Sequence, residues 1–177
     1  MSVETLHYLV ALSALVLQII TIGLFLAYLL RKRYEFLRDA IVPVAEWGVL
    51  IALTTVIGAI IMSLYYSNVL GFEPCPLCWW IRIFMYPQAI LFAVALWLKD
   101  RNVTLYSIFF SIIGFCIALY NHILQVLPSG TLPCPAMSSV SCSQRIIFEF
   151  GYVTFPLLGA TIFAFLIVIM FIVRRRA

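Results

Sequence analysis

Five long runs organise this chain, each apolar and almost free of charge: Leu6–Leu30, Trp47 to about Asn68, about Leu77 to Leu98, Val103 to about Leu124, and Phe150–Val173. Only the third holds a charged residue, Arg82, near its start. None shows the alternation of apolar and polar residues that a membrane-spanning strand barrel requires. A bilayer core about 30 Å thick is crossed by roughly 20 apolar residues of α-helix. Each run therefore predicts one spanning helix, with its backbone polar groups satisfied internally.

Composition sharpens this picture. Hydrophobic residues make up 65% of the 177 positions and charged residues 10%, with a mean hydropathy of +1.13. Soluble domains carry about 25% charged residues, so a free cytosolic enzyme, a disordered chain and a nucleic-acid module are all excluded. The net charge of +4 does not point to nucleic acid, because the basic residues flank the apolar runs. Arg31, Lys32, Arg33 and Arg38 follow the first run, Lys99 and Arg101 join the third and fourth, and Arg174, Arg175 and Arg176 follow the fifth. Five alternating crossings put all nine on one side, which short cytoplasmic loops favour. The N-terminus is expected outside and the C-terminus inside. The first helix is expected to be retained rather than cleaved, since its leader Met1–Thr5 carries Glu4 and no basic residue.

With that orientation, four of the five cysteines fall in two outer loops, at about 67–78 and 125–149. Cys75 and Cys78 form Cys-Pro-Leu-Cys at the mouth of the third helix, and Cys134 and Cys142 lie in the longer loop. Thiols facing an oxidising compartment suggest disulfides, either redox-active or structural. A Cys-x-x-Cys disulfide closes too short a loop to restrain an unfolded chain strongly and is better suited to exchange. Pro76 suits the first turn of a helix, which predicts that free N–H groups at the helix end favour a Cys78 thiolate. Arg82 follows four residues later, on nearly the same helical face. It either lowers the Cys78 pKa and holds an anionic acceptor, or snorkels to the interface.

The chain has no Gly-x-Gly-x-x-Gly run and no Cys-x-x-Cys-His, so a lipid-soluble acceptor is the economical electron sink. His122, near the outer end of the fourth helix, could bond a quinone carbonyl or pass a proton, or be an ordinary interfacial histidine. His7 is assigned no role. Cys116, inside the fourth helix, reads as a small packing residue. Zinc is disfavoured, because seven residues separate Cys134 from Cys142 where structural sites use close-spaced pairs.

Together these residues resemble the DsbB family of membrane thiol oxidases. The likeness rests on Cys75-Pro-Leu-Cys-Trp-Trp-Ile-Arg82, on Met85-Tyr86-Pro87 in the manner of Gram-positive BdbC-type members, and on Tyr120-Asn-His-Ile-Leu-Gln125 before Cys134. Gln144, Phe150-Gly151 and Pro156 are similar to the family's entry to its last helix, and the likeness spans about Trp47–Val173.

The resemblance implies a four-helix transmembrane bundle of DsbB type over 45–177. Residues 1–44 add one N-terminal transmembrane helix and a basic cytoplasmic loop. It implies redox roles for Cys75, Cys78, Cys134 and Cys142, and a quinone site at Arg82 and His122. The partners it implies are a DsbA-like thioredoxin-fold oxidase, a membrane quinone (ubiquinone or menaquinone) feeding the respiratory chain, and the lipid bilayer of a bacterial cytoplasmic membrane, with no metal. Ile81 stands where many relatives place a polar residue, and the second cysteine pair is closely spaced. Two rivals are a vitamin K epoxide reductase-like enzyme, whose Cys-x-x-Cys pair follows its loop pair, and a disulfide-stapled scaffold that only binds a partner.

Overall fold

The computed structural model of the protein describes residues 3–100, 102–127, 142 and 145–176. Its helices are α1 (Val3–Leu30), α2 (Glu35–Leu64), α3 (Pro76–Leu98), α4 (Val103–Val126) and α5 (Phe155–Arg176), with a hairpin of β1 (Phe148–Glu149) and β2 (Val153–Thr154) before α5. Five helices among the described residues are long and apolar enough to cross a membrane. Ile19, Ile90, Trp97 and Phe109 are each at least 60% exposed. A soluble monomer rarely exposes apolar surface on this scale; a lipid-facing bundle requires it.

α5 is the central helix, packing on α4, α2 and α1. Its Phe163, Leu166, Ile169 and Met170 are fully buried. Gly114 lets α4 approach closely: a Cβ there would collide with the Phe163 ring, the small-residue contact by which membrane helices associate. α3 and α4 are joined by polar groups instead. Gln88 Oε1 accepts from Ser107 Oγ (2.7 Å) and Ser111 Oγ (3.2 Å), while its amide donates to the Phe84 carbonyl (3.0 Å). α1 lays the small side chains of Ala11 and Ala14 near Val153, and Gln18 donates to Thr161 of α5 (3.1 Å).

Two helix starts lie farthest from those expected. α2 begins at Glu35 rather than Trp47 and runs through Pro43, so Arg38 is helical and the turn after α1 is short. α5 begins at Phe155 rather than Phe150, because the preceding residues form the hairpin. Its turn places Phe150 (φ 53°) and Gly151 (φ 77°) in the left-handed region, backbone that cannot belong to a right-handed helix. Arg145 then closes the other side of the junction: its Nε donates to the Gln125 carbonyl (2.7 Å), one of the acceptors left unpaired at the end of α4.

Candidate functional site

The site is built where α3 begins. Pro76 takes the first helical position and Cys75 the N-cap, with extended backbone (φ −64°, ψ 161°). Cys75 therefore stands where a side-chain acceptor meets the free N–H groups of the first turn. Its Sγ accepts from the Cys78 N–H (3.3 Å). The two sulfurs lie 2.7 Å apart, and the Asn121 amide of α4 reaches both, at 3.6 Å each. Both thiols are free.

This geometry reverses the expectation that the helix end favours a Cys78 thiolate. The hydrogen bond from the Cys78 thiol, opposed by burial and helped by the Cys78 N–H and Asn121, holds the Cys75 thiol down to about 6. The reason is positional: Cys78 is the third helical residue, so its N–H points back at the N-cap sulfur instead of serving its own.

Each cysteine of the pair faces a different neighbourhood. Cys75 is buried in a cluster with Leu77, Leu124 and Cys142, against which Cys78, Ile117 and Tyr120 pack. Cys142 is 1% exposed and disulfide-bonded; Cys134 lies outside the described residues. Cys78, in contrast, lines a cavity of about 410 Å³ together with Arg82, Ser63, Tyr66, Tyr86 and Phe155.

Arg82 does not snorkel. It is 9% exposed and turns inward to α2, where Nε donates to Ser63 Oγ (3.0 Å) and Nη2 donates to the Ser63 carbonyl (3.1 Å) and Ser67 Oγ (3.2 Å). Ser63 belongs to the last turn of α2 and Ser67 to the π turn, Tyr65–Val69, that follows it. Such a widened turn interrupts the ordinary ladder and recurs at functional sites. The guanidinium also lies 5.1 Å from the Trp79 ring centre. Among the described residues no carboxylate pairs with it, so its charge remains available to the cavity.

His122 does not line that cavity. Its Nδ1 shares a 2.8 Å hydrogen bond with Thr154 Oγ1, at the entry to α5. A helix turns 100° per residue, and that single step sends Asn121 toward the cysteines and His122 away from them. Asn121 was the residue that sequence reasoning passed over, although it stands in the same Tyr-Asn-His segment. Cys116, expected to pack, is exposed on α4 and free. Among the described residues, no group of three or more His, Cys, Asp or Glu is placed to hold a metal ion.

A family model described as disulfide bond formation protein DsbB matches residues 45–173. The chain is 40% identical over 126 residues to a probable disulfide formation protein C of Halalkalibacterium halodurans, covering 71% of this chain and 89% of that one. Against the disulfide bond formation protein C of Bacillus subtilis it is 37% identical over 129 residues, covering 72% and 86%. It is 39% identical to the SPbeta prophage-derived disulfide bond formation protein B of Bacillus subtilis over 102 residues, covering 58% and 68%. No solved structure matches.

Proposed function

Because the chain belongs to the DsbB family of disulfide bond formation proteins, we propose that it is a membrane dithiol:quinone oxidoreductase that reoxidises a DsbA-like thioredoxin-fold protein outside the bacterial cytoplasmic membrane. The observation that carries this reading is the placement of the inner pair. Cys75 packs with Cys142 on one side, and Cys78 opens onto the cavity on the other. Sulfur chemistry can enter at the first and electrons can leave at the second.

In this reading Cys134 is the disulfide partner of Cys142. The client's thiolate attacks Cys134, forming a mixed disulfide and releasing Cys142 as thiolate. Cys142 attacks Cys75 of the oxidised inner pair, expelling Cys78 as a thiolate that faces the cavity. The client's second thiol then resolves its bond to Cys134. Freed Cys134 attacks Cys142 and expels Cys75, which restores the outer disulfide. The client ends oxidised, and the inner pair holds its two electrons. A thiol held near pKa 6 is a good leaving group in that last exchange.

The cavity fits a quinone, which supplies a sink for two electrons and two protons as the Cys75–Cys78 bond re-forms. A quinone head group needs apolar walls and donors for its oxygens. Ile81, Met85 and Ile162 supply walls, and the buried hydroxyls of Tyr66 and Tyr86, both cavity-lining, have no partner among the described residues. Arg82 would stabilise negative charge there. His122 acts at one remove: its bond to Thr154 fixes the start of α5, whose Phe155 and Pro156 form part of the cavity wall. The orientation follows the basic flanks, with both redox loops and the N-terminus outside.

The test is a trapping experiment. Cys142→Ser should leave Cys134 able to hold a thioredoxin-fold client in a mixed disulfide, visible on non-reducing gels and released by dithiothreitol. Absence of that adduct under oxidising conditions contradicts the route.

A further inference from the structure

α1 lies outside the 45–173 segment matched by the family model, yet it is part of the cavity. Val10, Ser13 and Leu17, at helical spacings of three and four, all line it. They share its lining with Arg82 and Cys78 of α3 and with Ser63 at the end of α2. The hydroxyl of Ser13 is already committed to the Val10 carbonyl at 2.7 Å, so this face of α1 offers the cavity a mainly apolar surface.

One turn outward, α1 touches the cavity's most deeply buried polar group. Tyr66 is 2% exposed, lines the cavity, and its hydroxyl lacks a partner among the described residues. A buried hydroxyl without a partner is costly unless something bonds it. The Tyr66 ring is fixed on several sides: His7 of α1 stacks on it at 5.6 Å between ring centres and 18° between planes, and Phe155 meets it at 5.1 Å. The phenol is thus rigid, desolvated and unpaired, on the wall of an apolar chamber that also holds Cys78 and Arg82.

We infer that α1 is the closing wall of the quinone cavity, and that the Tyr66 hydroxyl, its ring positioned by His7, donates the hydrogen bond to one quinone oxygen. This rests on the quinone-linked reading above and adds to it: α1 becomes a determinant of how tightly the acceptor is held. His7 is a positioning residue, since its own ring does not line the cavity. Leu17 sets the room left for the ring and its substituents.

The experiment uses the full-length protein in detergent with two probes: a short-chain ubiquinone analogue, titrated by quenching of tryptophan fluorescence, and a short-chain benzoquinone carrying an azide, photolysed and mapped by mass spectrometry. The expected label falls on α1 within residues 10–17 and on the end of α2. Tyr66→Phe should raise the dissociation constant about five- to tenfold, with the thermal midpoint unchanged or raised, because only an unpaired hydroxyl is removed. His7→Ala should weaken binding, and His7→Phe, which keeps the stack, should restore it. Leu17→Trp should exclude the probe. Wild-type binding with label confined to α3–α5, and Tyr66→Phe binding as wild type does, overturns this inference alone. A wild-type protein that neither binds nor is labelled overturns the quinone-linked reading, and this inference with it.

Discussion

Two buried polar regions sit beside α3, and they are built on opposite principles. Around Gln88 the polar groups close on themselves: two serine hydroxyls from α4 donate to its oxygen and its amide donates to its own helix. Around Arg82, one to two turns toward the start of the helix, hydroxyls of Tyr66 and Tyr86 have no partner among the described residues and stand in the wall of a cavity. A closed polar cluster between membrane helices holds them together. An open one beside a free thiol has capacity for a ligand. The contrast separates what keeps the bundle assembled from what it does.

The comparison can be broken most sharply at Arg82. Arg82→Ala should raise the quinone KM by about tenfold or more, the worth of a charge-assisted contact, while the protein still inserts and purifies as a bundle. Quinone kinetics of the variant decide this, and an unchanged KM returns Arg82 to a structural role. Gly114→Val acts on the packing side alone. It forces a side chain into the Phe163 ring and should cost roughly 1–3 kcal/mol by overpacking, read as a lowered thermal midpoint in detergent. Gln88→Leu removes the shared acceptor of Ser107 and Ser111 and should cost about 1–2 kcal/mol. Its quinone KM should stay at the wild-type value, which makes it the control for Arg82→Ala.

The smallest effect is on pH dependence. Alkylation of Cys75 in the reduced protein should rise with a midpoint of about 6 rather than in the ordinary thiol range of about 8.5. Since the native value lies below the unfolded one, the thiolate's contacts favour the fold above the ordinary range, and that contribution is lost as pH falls through about 6. Cys78→Ser weakens the hydrogen bond that is the largest cause of the shift, so the midpoint should move upward. Mass-spectrometric alkylation rates across about pH 4–10, a range that brackets both the shifted midpoint and the ordinary thiol range of about 8.5, resolve both profiles.

How much of this was legible in the sequence depends on the range of the interaction. The spanning helices were legible because charge-free length is a local property; α3 and α4 came out within one or two residues of their expected ends. The start of α2 was not, because Glu46 ends the apolar window at Trp47, and Glu35, Arg38, Asp39 and Pro43 before it keep it closed, although a helix outside the lipid core tolerates all five. The start of α5 was missed because hairpin residues 150–154 carry no charge and run unbroken into the apolar helix. At the site, the Cys-Pro-Leu-Cys motif and Arg82 were visible from spacing, and helix-end geometry was legible too, although the sulfur that meets the free N–H is that of Cys75 at the N-cap and not that of Cys78. Asn121, Tyr66 and the wall made by α1 were beyond reach, since each acts only through tertiary packing that no local pattern encodes.

The central claim is that electrons leave the client through the Cys75–Cys78 pair and exit at Cys78. The most direct measurement is quinone reduction by the purified protein supplied with a reduced thioredoxin-fold substrate, with substrate thiols counted in parallel. Wild type should reduce one quinone for each substrate disulfide formed, and Cys78→Ser should fall to the uncatalysed background. Quinone reduction by Cys78→Ser at the wild-type rate would contradict the account.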